Sequence, residues 1–116
     1  MELRLCEIDR DHNLMVLAID GGLDNRTAEE FVAQVTQLVE GGVNRIIVDC
    51  AALNYVSSAG LAALLRVHAR MRRLEGDVRL AGLRHAVAQV LRLTHLDRLL
   101  EMYPDVEQAR LSFRAK

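Results

Sequence analysis

Tryptophan is absent from this chain of 116 residues, and aromatic residues make up only 3% of it. Single-stranded nucleic acid is held by bases stacking on aromatic side chains, so this scarcity argues against such a surface. An excess of either charge is also lacking. Fifteen Lys and Arg stand against sixteen Asp and Glu, a formal net charge of −1. Attraction to DNA, RNA or anionic lipid therefore has no global basic field behind it. No apolar run approaches the roughly 18 residues that a membrane span needs. The opening "MELRLCEIDRDHN" is charged from residue 2 and has no apolar signal-peptide centre. The expected location is the cytoplasm. The two cysteines, Cys6 and Cys50, lack any C-x-x-C spacing and sit in apolar contexts, so both are expected as buried free thiols.

The common catalytic motifs are missing too. The sequence contains no G-x-S-x-G elbow, since Val56 stands two residues before Ser58. His12, His68, His85 and His95 form no H-x-x-H or H-E-x-x-H pair, and no glycine-rich phosphate loop is present. Neither an enzyme nor a metal or cofactor protein is expected. A binding or switching module is.

What the chain does have is hydrophobic content of 51% without low-complexity stretches, which suits one folded core, and residues 1–116 are expected to form a single domain. "LRLCEID" (Leu3 to Asp9) alternates like a half-buried strand, "RDHN" makes a turn, and "LMVLAI" (Leu14 to Ile19) completes a hairpin. Gly21-Gly22 are expected to break that second strand. Thr27-Ala28-Glu29-Glu30 fits a capping box, and Ala28, Phe31, Val32, Val35, Leu38 and Val39 share one helical face that ends at Gly41-Gly42. Ile46-Ile47-Val48 is a continuous apolar run, the pattern of a central strand buried on both faces. A second helix is expected from about Ser58 to Leu74, burying Leu61, Leu64, Leu65, His68 and Met71. A strand (Asp77 to Leu83), a helix with its turn (Arg84 to Leu96), a short strand (Arg98 to Tyr103) and a helix opened by Pro104 follow. The order is an α/β one: a mixed sheet of about five strands, an initial antiparallel hairpin and then parallel crossovers, covered by about four helices.

The junction "LNYVSSAGL" (Leu53 to Leu61) carries the functional question. Either Ser57 or Ser58 can cap the second helix, a contribution of about 0.5–2 kcal/mol. Gly60 in the first turn costs about 1 kcal/mol relative to alanine, which suggests that another backbone approaches there. A phosphoserine would suit the positive end of the helix dipole. Local physics leaves cap and switch both open.

Here the chain resembles the STAS domain family, specifically its small bacterial anti-sigma factor antagonists. The resemblance rests on "IDGGLDNRTAEEF", on "IIVDCAALNYVSSAGLAALL", and on "GDVRLAGL" followed by "LTHLDRLLEMY", all in the family's order. It implies the STAS fold and a partner-switching role. The unphosphorylated antagonist binds an anti-sigma serine kinase and frees a sigma factor; the kinase phosphorylates a loop serine, and a serine phosphatase reverses this. Carried over, the phosphorylated residue is Ser58. Ser57 stands where the family has an aspartate, and Ala59 where it has a second hydroxyl. The expected partner-binding residues are Asp24, Ser57, Ser58, Ala59, Gly60 and Leu61, with Arg66 added from its place on the second helix. Asp24 has an equal reading as a local turn cap, and Arg66, Arg70 and Arg73 form a stripe that suits either solvent or an acidic partner. The alternative function is a STAS accessory subunit of a transporter or signalling scaffold that is not phosphorylated.

Overall fold

The computed structural model describes residues 2–114, and within them all side chains except those of Glu7, Ile8 and Arg114. Strands β1 (Glu2–Asp9) and β2 (Leu14–Leu23) form the expected antiparallel hairpin. Helix α1 (Ala28–Glu40), β3 (Arg45–Asp49), β4 (Leu53–Val56), α2 (Ser58–Arg73), β5 (Asp77–Ala81) and α3 (His85–Leu93) follow. A single 3-10 turn (Leu96–Arg98), β6 (Glu101–Tyr103) and α4 (Val106–Arg114) complete the described chain. The sheet runs β1-β2-β3-β5-β6, and every pair after the hairpin is parallel.

The burial of β3 explains the layering. Ile46 and Val48 face a large core shared with Phe31 and Val35 of α1, Leu64 and Met71 of α2, and Leu91 of α3. Ile47 points the other way, into a smaller core with Leu14, Val16, Ala81, Ala109 and Phe113. Three helices thus cover one face and α4 covers the other, so a strand buried on both faces needs no polar alternation. Arg79 on β5 faces the α4 side. It is buried but not isolated: its Nε lies 3.2 Å from Asp77 and 3.5 Å from Glu101, and its guanidinium sits 3.9 Å from the Phe113 ring centroid. Two carboxylates and an aromatic face offset the desolvation of that charge.

Several sequence expectations need correction. Gly21-Gly22 do not end β2. Gly21, at φ 103°, shifts the register so that the strand bends and continues to Leu23, pairing with β4 beyond the end of β3. The sheet therefore has six strands, not about five, the additional one being the short β4, exposed in its middle. The Thr27 capping box does not form, because Thr27 is itself in the helical region (φ −114°, ψ −12°) and its hydroxyl bonds elsewhere. The buried stripe of α2 is Gly60, Ala63, Leu64, Val67 and Met71, with Leu61, Leu65 and His68 only half-buried. Pro104 precedes α4, which Asp105 caps by accepting from the Gln108 amide at 2.7 Å. Cys6 is exposed on the edge strand β1; Cys50 is buried, and that burial pushes its thiol up to about 12. The Gly41-Gly42 stop is as expected. Gly42, at φ 101°, donates to the Val39 carbonyl, and Val43 donates to that of Leu38.

Candidate functional site

The junction at the head of α2 is built by the end of β2. Leu23, the last residue of that strand, offers its carbonyl to the Ser57 amide at 3.0 Å. Gly60 lies against the same carbonyl: a Cβ there would overlap the Leu23 oxygen and lie 2.9 Å from its carbon and 3.0 Å from Val56 Cγ1. The close backbone approach suggested by this glycine is present, and Leu23 is the backbone concerned.

The two serines divide the work between them. Ser57 is extended (φ −91°, ψ 177°), and its Oγ accepts from the Gly60 amide at 3.3 Å, which makes it the N-cap. Ser58 is the first helical residue, exposed, and its hydroxyl has no hydrogen bond among the described residues. The amides of Ser58 and Ala59 also lack acceptors among the described residues, as helix starts usually leave some donors open. No acidic residue occupies the first turn of this 16-residue helix, so its positive dipole end is uncompensated. Ala59 and Leu61 are half-buried, and Leu61 packs on the main core.

Asp24 sits just after β2 and organises the turn into α1. Its Oδ1 accepts from the Arg26 amide at 2.9 Å and from the Thr27 hydroxyl at 3.3 Å, and Oδ2 is 3.8 Å from the Arg26 guanidinium. The Arg26 amide bond holds the carboxyl below its ordinary range, against a smaller opposing effect of burial. The turn-capping reading of Asp24 is therefore present in the geometry. Arg66 is not in this cluster. It lies about 12 Å further along α2, at 1.5 Å per residue, and its guanidinium holds Glu29 of α1 at 2.8 Å. That hydrogen bond depresses the Glu29 carboxyl.

One surface residue of this end was missed in the sequence reading. Tyr55 is 55% exposed on β4, three residues before Ser58, and its ring lies over Gly22, with Cδ2 3.5 Å from where a Cβ would be. The other three aromatic residues, Phe31, Tyr103 and Phe113, are buried or half-buried. A lone aromatic beside a candidate loop in so aromatic-poor a chain was the available signal. Among the described residues no group of three His, Cys, Asp or Glu is placed to hold a metal, and no helix is long and apolar enough to cross a membrane.

An antiparallel hairpin leading a parallel sheet, three helices on one face, and a helix that starts at a glycine-tight serine loop define a class of α/β domain. The chain belongs to the STAS domain family, whose model matches residues 6–109. It is 26% identical over 114 residues to BtrV of Bordetella bronchiseptica, provisionally named an anti-sigma factor antagonist, covering 98% of this chain and 96% of that one. Its fold is that of an anti-sigma factor antagonist from Mycobacterium paratuberculosis (TM-score 0.82, 22% identity, 97% and 95% of the two chains). It is also that of the Bacillus cell fate determinant SpoIIAA in its phosphorylated form (TM-score 0.74, 21% identity, 99% and 100%).

Proposed function

We propose that this chain is an anti-sigma factor antagonist of a partner-switching pathway, working in the cytoplasm as one STAS domain. Unphosphorylated, it binds an anti-sigma serine kinase. Phosphorylation of Ser58 releases it, and a serine phosphatase restores it. The chain is the substrate and performs no catalysis itself. The observation that supports the reading is the split between Ser57 and Ser58: with the cap made by one hydroxyl, the other is exposed and has no hydrogen bond among the described residues.

Three physical features favour a switch there. A phosphate adds about −1.5 to −2 charges at neutral pH, and the dipole end with its open amides tolerates them without unfolding the helix. The helix start is held by Ser57 and Leu23, not by Ser58, so the modification acts on the docked partner and not on the fold. Tyr55, Asp24 and the Ser58 loop lie close along the chain and through the β2–β4 pairing, and an exposed tyrosine is a good interface anchor. In this reading Asp24, Ala59, Gly60 and Leu61 shape the contact around Ser58, with Ser57 in the place of the family's acid. Arg66 contributes only at the rim.

The test is incubation with the anti-sigma kinases of the source genome and ATP, followed by mapping of phosphate by mass spectrometry. Phosphate on Ser58 that disappears in Ser58→Ala is the expected result. Absence of phosphate from the wild type would return the chain to the accessory-subunit reading. In calorimetry, Ser58→Asp is expected to weaken kinase binding by about tenfold, roughly 1.4 kcal/mol, as a charge introduced at a desolvated contact does.

A further inference from the structure

The second half of α2 concentrates positive charge in a nearly neutral chain: Arg66, Arg70, Arg72 and Arg73 fall within its last eight residues. Among the described residues only Arg66 has an ion-pair partner, Glu29. The negative end of a helix dipole amounts to about half an elementary charge. It offsets little of the three positive charges that Arg70, Arg72 and Arg73 bring.

Three of these arginines border a formed hollow. Arg66, Arg70 and Arg73 line an open cleft of about 250 Å³ whose remaining walls are Ala69 and, from α1, Val32 and Thr36. The Thr36 hydroxyl is turned back onto the Val32 carbonyl at 2.8 Å, so the α1 side of the cleft offers mainly carbon. Arg70 and Arg73 also bound an adjoining hollow with Leu74, an aliphatic residue 48% exposed. Arg70 Nε is covered by protein and has no hydrogen-bond acceptor among the described residues. A buried guanidinium N–H without a partner is unfavourable. A carboxylate docked in the cleft that Arg70 lines would give its guanidinium an ion-pair partner.

We propose that this α1–α2 cleft is a docking groove for an acidic segment of a partner protein. Carboxylates of that segment meet Arg70 and Arg73, and its apolar side chains lie against Val32, Ala69 and Leu74. Charge complementarity selects the occupant, because the groove combines unpaired guanidinium groups with an apolar wall. The inference stands apart from the Ser58 reading, since the groove lies on the far part of α2 and needs no phosphate.

The test uses the peptide Ac-EELEEL-NH2 titrated into the isotope-labelled chain at low salt, followed by amide NMR shifts. Saturable shifts confined to residues 32–36 and 66–74 are expected. Arg70→Gln/Arg73→Gln should bind at least about tenfold more weakly, in keeping with the loss of two charge-assisted contacts. The single exposed-site reversal Arg73→Glu should weaken binding as well, and Arg92→Gln/Arg98→Gln should not. Shifts centred elsewhere, or an unchanged affinity in the Arg70/Arg73 variants, would overturn the assignment. Inorganic phosphate matching the peptide in site and affinity would reduce the groove to a small-anion site and overturn it. So would binding to phosphatidylglycerol vesicles, lost in the same variants, in place of a peptide response.

Discussion

Two helices of this chain begin beside a hydroxyl residue, and they use it differently. At α1 the Thr27 hydroxyl donates to the Gly22 carbonyl at 3.1 Å and accepts from the Asp24 amide at 2.9 Å. It ties the helix to the strand behind it and caps nothing. At α2 Ser57 caps, and a second hydroxyl, Ser58, is left over. The two starts meet at one backbone segment, Gly22 to Asp24, which holds Thr27 on one side and Ser57 and Gly60 on the other. The lesson is that hydroxyls committed to the join between helices are structural, and that the one outside the join stands exposed.

The strongest way to break this comparison is to separate the two starts. Gly60→Ala places a methyl group inside the contact with the Leu23 carbonyl, which is backbone and cannot swing aside. Overpacking of this kind costs about 3 kcal/mol or somewhat more. Urea unfolding should show that loss, with the midpoint falling and the slope preserved. A loss below about 0.5 kcal/mol would mean that the helix start re-docks freely, and the join would lose its meaning.

Much of this frame was legible in the chain, because it is written in short-range signals. The order of elements, the hairpin, the two-sided burial of Ile46 to Val48 and the close approach at Gly60 follow from periodicity and from the cost of a helical glycine. What was illegible depended on distant partners. Thr27 fits a capping box locally, yet Gly22 and Asp24 compete for its hydroxyl and win. β4 exists only because the bulge at Gly21 turns β2 toward it. The Arg66 contact with Glu29 joins residues 37 apart in sequence, and no local pattern announces it. At the site, the family resemblance points to Ser58, whereas the cap on Ser57 depends on how the Leu23 carbonyl, 34 residues away, holds the loop.

Removing each loop hydroxyl in turn sharpens the comparison at smaller amplitude. Ser57→Ala deletes the acceptor of the Gly60 amide and should destabilise by about 1 kcal/mol, the usual effect of losing an N-cap. Ser58→Ala removes an exposed hydroxyl with no hydrogen bond among the described residues, and should change stability by less than about 0.5 kcal/mol. Thermal or urea unfolding of the two variants side by side checks both. Equal losses would mean that Ser58 also supports the helix start, and a silent Ser57→Ala would move the cap elsewhere.

The thiols give a control on which surfaces are open. An exposed Cys6 and a buried Cys50, the latter with its thiol pushed up to about 12 by burial and then by Asp49, should differ in reactivity. A thiol reagent at pH 8 should label one cysteine in the native chain and two after unfolding. Two native labels would mean that the sheet around Cys50 opens readily, and the rigid join inferred at its end would fall with it.

The smallest effect concerns Asp24, which holds the turn between the two starts. Its carboxyl titrates below the ordinary 3.8, chiefly because the Arg26 amide donates to it, with the Arg26 charge and the Thr27 hydroxyl adding to this. A depressed carboxyl means that the unfolded chain binds more protons than the native one near that pH. The contribution of Asp24 is therefore fully present above the ordinary value and is lost as pH falls through the lower native one. Wild type should lose stability more steeply than Asp24→Asn between about pH 5 and pH 2, and the two should run parallel above that window. Glu29 is depressed by Arg66 in the same sense, but it is common to both proteins and drops out of the difference. Parallel curves through the whole acid range would show that the turn does not depend on the charge of Asp24. On the proposed reading the carboxylate would then serve docking beside Ser58, and Asp24→Asn should weaken partner binding while leaving unfolding unchanged.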